Sequence, residues 1–169
     1  KKFQQLAFLA RCRKIRSNKG ASLAPINAHL LHTSLETLGL RLERQCDNAF
    51  EIAHLLNNHP AIKQINYPGL KESHGHEVAK RQFNGRFGGL MTLRLGSRER
   101  CFEFISALNM IKNLANLGDA KTLVIHPSST IYRDLSQDEK DQCGAYDDLV
   151  RISIGIEHLD DIKADLLQA

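Results

Sequence analysis

From Ala28 to Leu56, small or apolar residues recur at steps of three or four: Ala28, Leu31, Leu35, Leu38, Leu42, Cys46, Ala49, Ala53 and Leu56. That spacing predicts one long amphipathic helix, with Pro25 suited to its first turn and Asn57 to Pro60 closing it. At about 1.5 Å per residue it would measure roughly 45 Å. A small domain does not need that length for its own core, so the helix is expected to project toward something else. Gly39 sits in its middle, costs about 1 kcal/mol relative to alanine and marks a bend or a close packing contact.

A second, less regular helical pattern covers residues 2–16 and closes at the turn cluster Ser17 to Gly20. Beyond the long helix the pattern changes character. Residues 61–67 form a short β-like run stopped by Pro68-Gly69, and Gly89 to Leu95 is an apolar strand behind the glycines 85, 88 and 89. Residues 77–83 and 98–108 read as helices, 122–126 and 149–154 as strands, and 159–167 as a closing helix. Short strands alternating with helices predict an α/β fold: a small antiparallel or mixed sheet with helices on one face, rather than a doubly wound sheet. With 169 residues, one compact domain is the expectation.

Composition narrows the function classes. The net charge of +4, with 25% charged residues of both signs, is not the biased field of a dedicated nucleic-acid binder. The basic run Arg11, Arg13, Lys14, Arg16, Lys19 has no aromatic platform and reads as a solvated helix face. No apolar run approaches the roughly 20 residues of a membrane span, and the opening residues lack a signal-peptide core. A soluble, cytoplasmic protein with neither nucleic acid nor membrane as partner is expected. Cys12, Cys46, Cys101 and Cys143 form no C-x-x-C pair and read as buried or incidental thiols. The cluster His74-Gly75-His76-Glu77 lies at a loop-to-helix junction without the spacing that puts two ligands on one face, so no metal site is expected. Gly85-x-x-Gly88-Gly89 reads as a tight turn, and Ser128-Ser129-Thr130 after His126-Pro127 as capping or a turn.

Arg151 stands out. In Leu149-Val-Arg-Ile-Ser-Ile154, strand alternation points Val150, Ile152 and Ile154 to one face and Arg151 with Ser153 to the other. A strand arginine is most often solvated or paired. A guanidinium fork on a rigid element is also how proteins grip a carboxylate through two parallel hydrogen bonds.

Five segments, taken together, resemble a known family. Residues 20–31 (GASLAPINAHLL) with 35–44 (LETLGLRLER), His59-Pro60 with Tyr67 to Leu70, Gly88-Gly89, residues 116–127 (NLGDAKTLVIHP) and residues 149–157 (LVRISIGIE) resemble, in order, the carboxy-terminal domain of the Cys/Met-metabolism pyridoxal-phosphate enzymes. Within that family, residues 116–123 and the ending Gly155 to His158 look like O-acetylhomoserine sulfhydrylases, whereas cystathionine synthases and lyases more often have serine at the first position. A cystathionine γ-synthase or γ-lyase, or a methionine γ-lyase, is the alternative within the family. The resemblance implies the carboxy-terminal, substrate-binding domain of a fold-type I pyridoxal-phosphate transferase. Arg151 would hold the α-carboxylate of an amino-acid substrate, helped by Asn116 and the backbone beside Leu117. It also implies that pyridoxal 5'-phosphate and its Schiff-base lysine belong to a preceding domain, and no Ser-x-Thr-Lys motif occurs here. On that reading residues 1–20 connect to the cofactor domain, residues 24–58 are a long interdomain helix, the 169 residues alone are inactive, and the full enzyme is a homotetramer. Two departures stand out. Ile131 and Tyr132 occupy positions where the family usually has threonine and histidine, leaving Thr130 as the nearest substitute, and Ser34 replaces a usual glycine. A free-standing binding module that kept the fold and lost the chemistry is the alternative from another class.

Overall fold

A computed structural model describes residues 6–169, which divide into two units with the boundary between Leu38 and Gly39. The first unit holds two helices, α1 (Ala7–Lys19) and α2 (Pro25–Glu36). Residues 2–5 of the expected first helix lie outside the described residues. Its end falls three residues later than expected, because Ser17, Asn18 and Lys19 stay helical and Gly20 is the stop. There the backbone turns left-handed at φ 67° and the Gly20 N–H caps the Arg16 carbonyl, the ending that glycine permits at least cost. Pro25 occupies the first turn of α2 as expected. Neither helix buries a side chain.

The single long helix expected over residues 24–58 is two helices. α2 stops at Thr37 (φ −104°, ψ 3°) and α3 (Leu38–Leu56) follows. The Ser34 hydroxyl donates to the Leu30 carbonyl at 2.8 Å, a back-bond that weakens helical ladders, and β-branched Thr37 and then Gly39 are poor helix formers. The interruption thus precedes Gly39, the residue whose flexibility suggested a bend.

In the second unit, α3 buries only its later half, through Cys46, Ala49, Ile52, Ala53 and Leu56 together with Gln45 and Asn48. β1 (Gln64–Asn66), α4 (His76–Gln82), β2 (Leu90–Arg94), α5 (Arg98–Ala107), β3 (Lys112–Asn113), β4 (Leu123–Ile125), α6 (Gln137–Gln142), β5 (Leu149–Ser153) and α7 (Leu159–Gln168) complete it. The strands form one mixed sheet in the order β1-β2-β5-β4-β3, antiparallel except for the parallel β3-β4 pair. The α/β expectation of a small mixed sheet is met. Two-residue β3 and polar α6 carry no apolar period and escape a pattern reading. α6 did announce itself by the capping box Ser136/Glu139.

Pairing assigns the faces, because partners across an antiparallel ladder point the same way. Val150 pairs with Leu93, and Ile152 with Met91 and Val124. All five are essentially inaccessible and share one core with Ala49, Ile52 and Ala53 of α3, Cys101 of α5 and Ile162 and Leu166 of α7. Burying each such Val, Ile or Leu contributes about 1.5–3 kcal/mol. Helices α3, α5 and α7 cover this face, and Arg151 and Ser153 are on the other.

Buried Asp165 on α7 ties the core to an irregular stretch. Its carboxylate accepts the backbone N–H groups of Asn109, Met110 and Ile111 at 2.8, 3.0 and 2.8 Å, which shapes the turn into β3. Burial pushes this carboxyl up, but the N–H donors of Ile111, Asn109 and Met110 together pull it below its ordinary value. A native carboxylate held below its unfolded value stabilises the fold above the unfolded value, and that contribution fades as pH falls through the native one. Asp165→Asn is expected to cost about 1–3 kcal/mol at neutral pH. The gap from the parent should shrink on acidification, which urea unfolding at pH 7 and pH 3 reads directly.

Candidate functional site

Thr92, Arg151 and Ile125 form one row across β2, β5 and β4 on the face away from the helices. The loop between β3 and β4 is tied to this row. The Arg151 Nη2 donates to the main-chain oxygen of Asn116 at 3.2 Å. Its Nε is buried and has no partner among the described residues. Leaving such a donor unmet costs about 1–3 kcal/mol or more, and an unmet buried donor calls for an explanation. Arg86, Arg94 and Arg98 pair with Glu43, Asp148 and Asp147, whereas Arg151 forms no ion pair among the described residues. A cation tethered on one nitrogen by a neutral oxygen, with a second N–H unspent, is suited to a planar anion that accepts two parallel bonds.

The loop itself is held at several points. Gly118 donates its N–H to the Ser153 hydroxyl at 3.1 Å, and Gln45 Nε2 of α3 donates to the Asp119 carbonyl at 2.7 Å. The Asp119 carboxylate accepts from the Lys121 N–H at 3.0 Å and from its ammonium at 3.3 Å, and these contacts hold it below the usual carboxylate range. At the loop's end, Glu157 accepts from the Thr122 N–H (2.6 Å) and hydroxyl (2.8 Å). Thr122 Oγ1 in turn accepts the Gly155 N–H at 2.9 Å, and Asn48 donates to the carbonyls of Gly155 and Glu157.

The structure brings Arg151 and Asn116 together through the Asn116 main chain. The Asn116 side chain serves the loop, accepting the Leu117 N–H at 2.9 Å and reaching Asp119 at 3.4 Å. The backbone beside Leu117 is therefore at the site, with its N–H already taken by Asn116. Thr130 serves its own turn: its hydroxyl donates to the His126 carbonyl at 2.7 Å, closing a 3-10 turn at Pro127–Ser129. Within this turn His126 is buried, with Nε2 facing the Asp147 carbonyl and Nδ1 facing the Ser129 hydroxyl, both at 2.8 Å. Since a carbonyl only accepts, Nε2 carries the proton and Nδ1 accepts. Ser128 donates to Asp147, a bond that leads in holding that carboxyl below its ordinary value. His76 is likewise structural, bonded to the Pro68 carbonyl at 2.9 Å and stacked on Phe87.

Sequence reasoning placed Ser153 beside Arg151 but gave it no role, and it passed over Gln45 and Glu157. Gln45 and Asn48 flank the apolar stripe of α3, and amides at buried helical positions were the available signal. Gly155 is the tightest point. A Cβ there would collide with the Ala120 carbonyl and the Glu157 carboxylate, so Gly155→Ala is expected to cost about 1–3 kcal/mol by overpacking. Thermal melting would register this as a lowered midpoint, and an unchanged midpoint would contradict the packing described.

The family model described as "Cys/Met metabolism PLP-dependent enzyme" matches residues 3–169. O-acetyl-L-homoserine sulfhydrylase 1 of Thermus thermophilus is 41% identical over 99% of the chain and 40% of its own length. Among solved structures, a Campylobacter jejuni protein described as an O-acetylhomoserine (thiol)-lyase, carrying N'-pyridoxyl-lysine-5'-monophosphate, aligns with TM-score 0.85 and 41% identity over 90% of this chain and 36% of its own. Cystathionine γ-lyase of Lactobacillus plantarum, complexed with L-serine, aligns with TM-score 0.83 and 30% identity over 92% of this chain and 40% of its own. The chain thus spans about 40% of the length of the curated relative it matches.

Proposed function

Because the chain belongs to the Cys/Met-metabolism pyridoxal-phosphate-dependent enzyme family, we propose that it is the part of an O-acetyl-L-homoserine sulfhydrylase that grips the substrate's α-carboxylate. The overall reaction would exchange the acetate of O-acetyl-L-homoserine for sulfide or a thiol, giving homocysteine or its thioether and acetate. The observation that carries this reading is the buried, unpartnered Nε of Arg151, and the 41% identity to a sulfhydrylase favours this substrate over cystathionine or methionine.

When bound, pyridoxal phosphate supplies the electron sink that lets the acetate leave and the sulfur add. The residues around Arg151 fit an amino acid presented by such a group. Were the amino nitrogen held by that group, the α-carboxylate would be the remaining charged handle, and the guanidinium N–H groups not spent on Asn116 would be its donors. Asn116 accepts from Nη2 through its carbonyl, so the guanidinium keeps one orientation, and with the main chain at Leu117 it borders the carboxylate pocket. Arg151 moves no proton. Its contribution is to fix the substrate so that the bond to be broken stands correctly against the cofactor. We assign none of this chain's lysines to the cofactor and place its binding residues elsewhere in the longer protein. Leu30, Leu31 and Leu35 of α2, each more than half exposed, are suited to covering by that remainder. On this reading the complete enzyme is a cytoplasmic homotetramer, and light scattering of the full-length protein would find four copies.

Arg151→Lys keeps the charge and loses the fork. In the full-length enzyme it is expected to raise KM for O-acetyl-L-homoserine roughly 10- to 100-fold, the equivalent of one lost charge-assisted hydrogen bond. Acetate release with sulfide, compared with turnover of cystathionine and methionine, measures both the clamp and the substrate class. Unchanged KM in the lysine variant would remove Arg151 from the site.

A further inference from the structure

Arg151 has a long side chain with many rotamers, and a hydrogen bond from Nη2 to the Asn116 carbonyl at 3.2 Å orients it. That oxygen belongs to a loop, so the direction of the unspent Nε follows from where the loop is held. At its start Leu114 donates its N–H to the Val124 carbonyl at 3.1 Å. Past Asn116 the loop turns at Gly118, with φ 70°, and meets two side chains from outside it. The Ser153 hydroxyl accepts the Gly118 N–H at 3.1 Å, and Gln45 of α3 donates to the Asp119 carbonyl at 2.7 Å. Both side chains are polar at positions that are only 3% exposed, where an apolar residue would ordinarily be preferred. Ser153 lies two residues from Arg151 on the same face of β5, about 7 Å along the strand. One strand therefore carries both the guanidinium and the acceptor that fixes the loop facing it.

We infer that Ser153 and Gln45 are positioning residues for Arg151: by fixing residues 116–119 from the strand and from α3, they hold the Asn116 carbonyl where it aims the guanidinium's free edge at a carboxylate. This rests on the reading of Arg151 as a carboxylate clamp. Neither residue touches the ligand. Removing the Ser153 hydroxyl frees the Gly118 N–H and lets the loop shift. Arg151 must then give up rotamer freedom on binding that it has already lost in the parent protein.

The test uses the full-length, cofactor-loaded enzyme and a probe that does not depend on which leaving group is accepted: L-norleucine against its α-amide, with binding followed by the cofactor's absorbance. The ratio of the two dissociation constants reports recognition of the carboxylate, which a merely structural role would leave in place. Ser153→Ala and Gln45→Leu are each expected to lower that ratio about tenfold, as small misplacements of a binding group do. Each should raise KM more than it lowers kcat. Ser153→Thr, which keeps the hydroxyl, should restore the ratio. In an Arg151→Ala background, where preference for the carboxylate is lost, Ser153→Ala should subtract nothing further.

If Ser153→Ala and Gln45→Leu keep the parental ratio while Arg151→Ala abolishes it, the clamp stands and the positioning role is wrong. If Arg151→Ala keeps the ratio, the clamp reading fails and this inference with it. Should Ser153→Ala prove too unstable to purify, Gln45→Leu carries the same expectation from the other side of the loop.

Discussion

The pairing register of β5 is the constraint on which the rest of the second unit depends. Side chains alternate along a strand, so a slip of one residue exchanges its two faces. Here it would drive the Arg151 guanidinium into the layer occupied by Val150, Ile152 and Ile154, all with no accessible surface, and expose those three instead. Five pairs to β2 and three to β4 fix the register from both sides. The apolar layer beneath the helices and the face bearing Arg151 are thus two readings of the same short strand. Correct folding of one delivers the other.

Around that strand, irregular segments are fastened by buried or half-buried polar groups. Asp165 gathers three consecutive N–H groups before β3, Glu157 takes both donors of Thr122, and Asn48 holds two carbonyls of the turn after β5. Each satisfies backbone groups that neither a helix nor a sheet would satisfy. In this way a sheet whose outer strands are only two or three residues long can still present a loop in a defined position.

What could be read in advance follows the range of the interactions involved. Alternation in residues 149–154 is local, and it placed Arg151 and Ser153 on one face and the core on the other. The stripe from Ala28 to Leu56 is also local, but it continues in phase through Thr37, so periodicity had no means of revealing that the helix stops there. β3 exists because β4 lies beside it, and its two residues carry no signal of their own. The contacts that complete the site join residues far apart in sequence, such as Asn116 with Arg151 and Gln45 with Asp119. Family resemblance supplied the pairing of Arg151 with Asn116, but it gave no indication that Asn116 would act through its carbonyl while its side chain capped the loop. Thr130, singled out as a substitute for a missing threonine, caps its own turn.

The guanidinium of Arg151 rests against a neutral oxygen and keeps its buried Nε–H unspent. A glutamate or aspartate at hand would have neutralised the charge and made the resting fold sturdier, but under the proposed function it would also have occupied the place an incoming carboxylate needs. This strand therefore carries a standing thermodynamic debt at its centre. Variants selected only for robustness, for instance with a well-packed apolar residue at position 151, would be expected to relieve it by giving up recognition, the usual conflict between stability and function at a binding site.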